Sequence, residues 1–282
     1  MEGKTKVYEN KHRLKHKDGS WVWILDRGKT IFNRARTLEH PGYGNTYFNF
    51  TASHDGVGLR PASGIISDDE IDFLAQTAKE RGGHISTKRN ADGSDSPYEL
   101  NINYYSFLSA PEDSMERSVA KFMLSQAILL VMPGVPGIYF HSLFGSENYS
   151  AGVEAGHFRT INREKLNKET LERELSDKDS RRYQIFSFYR KLLEIRSENP
   201  AFNPLGKFSF PNLGNSLFCI YKSFADSAIL ALNNVTEKEI TLSSSDVSKI
   251  LGSRSCKDII SGKVFPEKIT INPYQIMWLK ND

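Results

Sequence analysis

The segment that most constrains the fold is residues 48–58, which read Phe-Asn-Phe-Thr-Ala-Ser-His-Asp-Gly-Val-Gly. A short apolar run leads into a His-Asp pair and then into glycines, a pattern typical of a buried strand that ends in a polar loop. In a barrel of alternating strands and helices, the carboxyl ends of the strands carry the reactive side chains. We therefore predict that His54 and Asp55 lie in a site at a strand tip. Taken alone, the pair also fits a capping aspartate beside a core histidine.

Size and composition allow one large domain or two ordinary ones, since the chain has 282 residues with 39% hydrophobic and 25% charged side chains. No apolar run is long enough to span a membrane, and the charged first twenty residues do not resemble a secretory signal. We therefore expect a cytoplasmic protein without a membrane partner. Its cysteines, Cys219 and Cys256, are then expected to be free thiols.

The net charge of +3 is unevenly distributed along the chain. Residues 1–36 hold ten Lys/Arg and four Asp/Glu, a charge of +6, and the remainder carries −3. A basic N-terminal segment can indicate nucleic-acid binding. A solvated strand face explains it equally well, and the larger remainder is acidic, so we expect no nucleic-acid partner.

Residues 32–199 alternate between strand and helix signals, which predicts an α/β fold and the last strands and helices of a (β/α)8 barrel. Residues 98–108 mix helical and extended signals. We predict strands at 46–52 and 138–140, helices at 68–81, 116–130, 169–175 and 180–197, and loops at 82–97 and 141–164.

The pattern of secondary-structure signals changes after Pro200, in residues 200–282. Short β-rich runs, separated by Asn, Gly, Ser and Pro, predict a small antiparallel β domain. The predicted strands are 208–210, 216–223, 228–233, 239–242 and 275–279.

Residues 1–31 predict a short N-terminal β-hairpin around the turn at Asp18-Gly19. This segment resembles the C-terminal hairpin of a PAS sensor domain. A whole PAS domain is about three times longer, so we interpret the segment as a fused remnant without a ligand pocket.

Several long motifs resemble the sucrose phosphorylase family of the α-amylase clan, glycoside hydrolase family 13, and in particular its branch near glucosylglycerate phosphorylase. The resemblance covers about residues 32–280 and implies the barrel and the β domain of that family. The matching segments read FNFTASHDGVGLRP, GHISTKRNADGSDSPYELNIN, GVPGIY, SLFGSEN, RTINR and NPYQIMWL.

This resemblance implies retaining phosphorolysis of an α-glucoside to α-glucose 1-phosphate, with inorganic phosphate as co-substrate and no cofactor. By the same resemblance Asp55 stabilises the transition state, and His54 and Arg163 bind the glucosyl ring. Lys88 and Arg89, in the predicted loop, become candidate contacts to an anion, although a solvated loop explains them equally well. We expect no metal site, because His84, His141 and His157 are not in ligand spacing.

Two catalytic carboxylates of the family have no counterpart ahead of His54. Asp26 follows a strand but belongs to the N-terminal hairpin, and Glu39 has no strand before it. Without nucleophile and acid the covalent route is lost, so we expect this chain to be inactive alone. A sugar-binding or regulatory module, an α-glucoside hydrolase and PAS-type signalling stay open as alternatives. So do the oligomeric state and the glucoside: sucrose, sucrose 6-phosphate, glucosylglycerol or glucosylglycerate.

Overall fold

The structure is a computed structural model, which describes residues 38–39, 45–59, 62, 64–252 and 255–281. The predicted PAS-like hairpin, residues 1–31, lies outside the described residues. The described strands are β1 Phe48–Asn49, β2 Val57–Gly58, β3 His84–Arg89, β4 Asp95–Asn101, β5 Val135–Pro136, β6 Lys207–Ser209, β7 Leu217–Phe224, β8 Ser227–Asn234, β9 Ile240–Ser243, β10 Cys256–Asp258, β11 Val264–Phe265, β12 Lys268–Ile271 and β13 Ile276–Asn281. The described helices are α1 Asp68–Glu80, α2 Tyr104–Leu108, α3 Met115–Val131, α4 Phe140–Leu143, α5 Ser150–Glu154, α6 Lys168–Ser176, α7 Arg181–Glu198 and α8 Ser244–Leu251, with 3₁₀ turns at Phe158–Asn162 and Pro200–Phe202.

The barrel-like part contains one parallel strand pair in the described residues, β1 with β5. Phe48 lies opposite Val135, and the Val135 amide donates to the carbonyl of Tyr47 at 2.8 Å. Helix α3 packs beside this pair and against α7. Their shared core includes Phe122, Leu130, Ile185, Tyr189 and Leu192. The arrangement agrees with part of an α/β barrel.

A three-stranded antiparallel sheet, in the order β2-β4-β3, replaces the predicted loop at 82–97. The loop prediction was wrong because the Gly, Ser and Asp residues that indicated it lie partly in the turn between β3 and β4 and partly on exposed strand positions. The sheet packs against α1. Apolar side chains in this small core are Leu59, Ile71, Leu74, Ala78, Leu100 and Ile102.

The C-terminal part is a six-stranded antiparallel sheet in the order β11-β10-β13-β8-β7-β6, beside the antiparallel pair β9-β12. Alternating residues of its central strands divide between two cores. Trp278, Phe218 and Ile220 pack with the side chains of α3 and α7. Leu232 and Met277 pack with α8 and β12 on the other face. The antiparallel β region predicted after Pro200 is therefore present.

Two further predictions about strands were wrong. The predicted buried strand at 46–52 is two residues long, and the side chains of Phe48 and Phe50 are exposed. The strand predicted at 138–140 lies earlier, at Val135–Pro136, and Phe140 begins α4. Pairing with β1 selects that position, which local propensity cannot reveal.

Cys219 and Cys256 are buried and form no disulfide, as expected. In the described part of the chain, no helix is both long and apolar enough to cross a membrane.

Candidate functional site

The His54-Asp55 pair follows β1 at the edge where both parallel strands end. Gly56 directly follows it with φ +118°, a conformation that side chains rarely adopt. A Cβ at Gly56 would overlap the carbonyl oxygen of Leu100 on β4. A glycine is therefore needed to bring the loop close to β4, and this contact sets the position of Asp55.

The Asp55 carboxylate is surrounded by three basic side chains. Its Oδ1 atom lies 2.9 Å from Arg163 Nη2, 3.3 Å from His54 Nε2 and 3.6 Å from Arg159 Nη1. Arg163 also donates from Nε to the backbone carbonyl of His54 at 3.2 Å. The carboxylate is 38% exposed, so an incoming polar ligand can reach it.

Glu99 holds Arg159 beside Asp55. The Glu99 side chain is buried on β4 and accepts hydrogen bonds from Arg159 Nη2 at 2.8 Å and Nε at 3.2 Å. These hydrogen bonds raise the pKa of Arg159, and the nearby charge of Asp55 adds to the effect. Asn101 Nδ2 donates to the same Glu99 carboxylate at 2.5 Å. Arg163, Asp55, Arg159 and Glu99 thus form a chain of contacts in which guanidinium groups alternate with carboxylates. Its two positive and two negative charges cancel.

Tyr139, which follows β5, fixes the loop that carries Arg163. Its hydroxyl donates to the backbone carbonyl of Asn162 at 2.5 Å. Burial raises the pKa of Tyr139; the charge of Arg163 opposes the shift and that of Asp55 adds to it. Sequence reasoning missed Tyr139, Glu99 and Arg159. The only available signal was that all three fall within the quoted motifs.

The structure brings His54, Asp55 and Arg163 together but leaves Lys88 and Arg89 elsewhere. Both lie near the turn of the β3-β4 hairpin, where Arg89 forms an exposed ion pair with Asp95 at 3.6 Å. Lys88 lines a groove of about 370 Å³ between this hairpin and the start of α1. No contact between either side chain and Asp55 occurs among the described ion pairs and hydrogen bonds.

The other histidines considered as ligands have different surroundings. His84 stacks on the half-exposed Phe158 with 4.3 Å between ring centres. His141 is buried with its Nδ1 atom 2.9 Å from Ser146 Oγ, and desolvation followed by the charge of Arg182 lowers its pKa. In the described residues, no group of three His, Cys, Asp or Glu could hold a metal ion. The site around Asp55 can instead bind hydroxyl groups through its carboxylate, imidazole and guanidinium groups.

Sequence comparison finds relatives that are named phosphorylases. The chain is 36% identical over 249 residues to glucosylglycerate phosphorylase of Escherichia coli and 38% identical over 258 residues to that of Spirochaeta thermophila. Sucrose 6(F)-phosphate phosphorylase of Ilumatobacter coccineus is 27% identical over 216 residues. The first two matches cover 87% of this chain but only 43% and 44% of those relatives. The chain thus spans less than half of the length of these curated relatives. No protein-family model matches the chain.

Structure comparison places the chain in the α-amylase fold. Sucrose 6F-phosphate phosphorylase from Thermoanaerobacter thermosaccharolyticum superposes with a TM-score of 0.61 at 18% identity, over 76% of this chain and 41% of that chain. An Anoxybacillus α-amylase superposes with a TM-score of 0.50 at 14% identity, over 92% of this chain and 46% of that chain. At these identities the likeness concerns the fold alone. Neither comparison supports a PAS remnant.

Proposed function

Because the chain belongs to the family of glucosylglycerate and sucrose phosphorylases, of which it represents a C-terminal part, we propose that the site around Asp55 is the glucosyl-binding half of an α-glucoside phosphorylase site. One observation carries the proposal. Arg163 Nη2 lies 2.9 Å from the exposed Asp55 carboxylate, with His54 beside it, at the carboxyl ends of two parallel strands. That is where barrel enzymes place their reactive groups.

The proposed reaction is phosphorolysis with retention. An enzyme carboxylate attacks the anomeric carbon, an acid protonates the leaving oxygen, and inorganic phosphate then displaces the enzyme carboxylate to give α-glucose 1-phosphate. Both displacements pass through an oxocarbenium-like transition state. In this proposal Asp55 stabilises that state by binding ring hydroxyls more tightly as the ring distorts, and His54 and Arg163 bind the glucosyl unit.

Glucosylglycerate is the favoured substrate among the glucosides considered. The relatives of that name are 36–38% identical to this chain, whereas the two sucrose-type phosphorylases are 27% and 21% identical. Lys88 and Arg89 are proposed only as contacts to an anion, phosphate or a charged acceptor, at the β3-β4 hairpin and apart from the side chains around Asp55. We also propose a reducing, cytoplasmic location, which the two buried cysteines support because they form no disulfide.

Replacing Asp55 with alanine is expected to weaken glucose binding by about 10- to 100-fold, since a hydrogen bond to a charged group contributes about 1.5–3 kcal/mol. Calorimetric titration of the 282-residue protein with glucose and glucosylglycerate measures this effect. Asp246→Ala is the matched control, because that exposed carboxylate pairs with Lys249 in the C-terminal part. Equal affinities of the Asp55→Ala variant and the unmodified protein would remove the basis for the proposal.

The 282-residue polypeptide is expected to produce no α-glucose 1-phosphate by itself. Retaining glycoside chemistry requires two carboxyl groups about 5–5.5 Å apart. In the described part of the chain, Asp55 is the accessible carboxylate of the site, while Glu99 is buried against Arg159. A coupled assay with glucosylglycerate or sucrose plus phosphate checks this, and product formation above the rate of the Asp55→Ala variant would refute it. Sugar binding without turnover would favour a binding module.

A further inference from the structure

A histidine without an assigned role lies on the same sheet as the loop that carries Asp55. His84 on β3 is the direct partner of Asn101 on β4. On the other side of β4, the register of β2 places Gly56 beside the same Asn101, whose Nδ2 donates to the carbonyl of Asp55 at 3.4 Å. Neighbouring strands lie about 4.8 Å apart. His84 is therefore level with the Asp55 loop and about 10 Å from it, across the width of β4.

His84 shares the polar side of this sheet with the candidate site. Leu100 on β4 packs into the small core beside α1. Successive strand residues point to opposite sides, so its neighbours Glu99 and Asn101 point away from that core. On that side Ser86 Oγ donates to Asn101 Oδ1 at 2.7 Å. His84 precedes Ser86 by two residues on β3 and therefore points to the same side.

The imidazole of His84 is held by an aromatic stack that leaves its nitrogen atoms available. The ring of Phe158, the first residue of the 3₁₀ turn that carries Arg159, lies parallel to the imidazole with 4.3 Å between ring centres. Phe158 is 48% exposed. Among the hydrogen bonds and ion pairs of the described residues, neither ring nitrogen of His84 has a partner. An imidazole held in this way can donate to an anionic group. We call His84 and Phe158 the imidazole platform.

We propose that the imidazole platform binds the leaving group of the glucoside and selects a leaving group that carries a carboxylate, as glycerate does. This inference rests on the proposed function. With the glucosyl unit at Asp55, the leaving group would extend over β4 toward His84. The Arg159 guanidinium on this side is already paired with Glu99 at 2.8 Å, so His84 is the donor that stays available to the carboxylate. The exposed ring of Phe158 would pack against the carbon chain of the leaving group.

Calorimetric titration of the 282-residue protein with glucosylglycerate, sucrose and glucose tests the platform. His84→Ala is expected to weaken glucosylglycerate binding about tenfold, the scale of one hydrogen bond to a charged group. The affinities for glucose and for sucrose, whose leaving group is neutral, should stay the same. Phe158→Ala should act in the same direction as His84→Ala. His157→Ala is the matched control, because His157 is the exposed neighbour of Phe158 and its side chain makes no capping hydrogen bond.

A measurement on the unmodified protein shows contact without relying on a variant. The NMR signal of the His84 ring is identified by its absence from the spectrum of His84→Ala. It should shift when D-glycerate is added. Glycerol, which has the same carbon chain without the carboxylate, should leave it in place. A role of His84 in folding alone would give no response to either compound.

The outcomes separate the platform from the glucosyl site. Equal affinities of His84→Ala and His157→Ala for glucosylglycerate, an equal loss for sucrose, or a His84 signal that D-glycerate does not shift overturns the inference. So does an unmodified protein that does not bind glucosylglycerate, while glucose binding that depends on Asp55 would leave the proposed function in place. Glucosylglycerate binding that depends on His84 but not on Asp55 supports the platform and contradicts the proposed function.

Discussion

Replacing Asp113 with asparagine is expected to lower the free energy of unfolding by about 3–5 kcal/mol, because the change leaves a buried lysine without its counter-charge. The Asp113 carboxylate is 2% exposed, and its Oδ2 atom lies 2.5 Å from Nζ of Lys121, which is also buried. Its Oδ1 atom lies 3.0 Å from Arg117 Nε. The same carboxylate accepts a hydrogen bond from the backbone amide of Ala110. Asparagine preserves the shape but removes the charge.

This cluster also connects α3 to the C-terminal part. Arg117 Nη2 lies 2.8 Å from Glu237, and it donates to the hydroxyl of Tyr274 at 3.3 Å. Burial lowers the pKa of Lys121, while its hydrogen bond to Asp113 opposes that shift. Without Asp113, desolvation and the charges of Arg117 and Arg81 would lower the pKa of Lys121 with no opposing effect from Asp113. The junction between α3 and the C-terminal sheet should therefore weaken first.

Urea denaturation at neutral pH measures the Asp113→Asn effect. Glu194→Gln is the control, since Glu194 forms an exposed ion pair with Arg190 and should contribute about 0–1 kcal/mol. Adding Lys121→Met to Asp113→Asn removes the unpaired charge and is expected to recover most of the loss. An Asp113→Asn variant within about 1 kcal/mol of the unmodified protein would contradict this account.

Replacing Lys222 with methionine is expected to stabilise the protein at pH 7 by about 1–3 kcal/mol. Lys222 on β7 is 2% exposed. Its Nζ atom donates to the carbonyl of Met132 at 3.5 Å and lies 5.7 Å from the centre of the Phe202 ring. Burial and the neighbouring charge of Arg196 lower its pKa to about 8. In the described ion pairs Lys222 has no carboxylate partner.

The direction of the pH effect follows from this lowered pKa. Between about pH 8 and the ordinary lysine pKa of 10.5, the unfolded chain binds more protons at this position than the folded chain does. Stability therefore rises with pH across that window, and below about pH 8 the full penalty of a buried cation is present. A shift of this size corresponds to about 3 kcal/mol at neutral pH.

Urea denaturation at pH 7 and near pH 10 tests the Lys222→Met prediction. The stability difference between the variant and the unmodified protein should be largest at pH 7 and smaller near pH 10. Taking the difference cancels titrations that both proteins share. Lys207→Met, at an exposed position on β6, should show no such change. A stability difference between the Lys222→Met variant and the unmodified protein that does not change with pH would contradict the prediction. So would a variant that is less stable than the unmodified protein at pH 7.

The partly buried Arg196 and the buried Lys222 also bear on the candidate site. Arg196 donates from Nε to the carbonyl of Leu130 and from Nη2 to the carbonyl of Gly134, and Lys222 reaches that of Met132. The Leu130 carbonyl lies in the last turn of α3, and those of Met132 and Gly134 lie between α3 and β5. Helix α7, through Arg196, and strand β7, through Lys222, therefore help to fix the backbone that leads into β5, and β5 leads to Tyr139 in the site.

Elements with a regular apolar period could be predicted from the sequence. The predictions at 116–130 and 180–197 agree with α3 and α7, and the β-rich runs after residue 200 agree with strands β6 to β9 and β13. The hairpin β3-β4 could not be predicted, because its exposed positions carry the same polar residues as a loop. The position of β5 also escaped prediction, since two residues carry too little local preference.

The sequence by itself determined which polar groups are available to the site and that they lie at the carboxyl ends of strands. The run into His54-Asp55 placed a carboxylate and an imidazole at a strand tip, and the motif around Arg163 supplied a guanidinium. Only the tertiary structure decided which charges meet. Asp55 and Arg163 are 108 residues apart, and Glu99 and Arg159 are 60 residues apart. Such pairings depend on how β1, β4 and the loop after β5 pack together, because electrostatic contacts depend on distance in space.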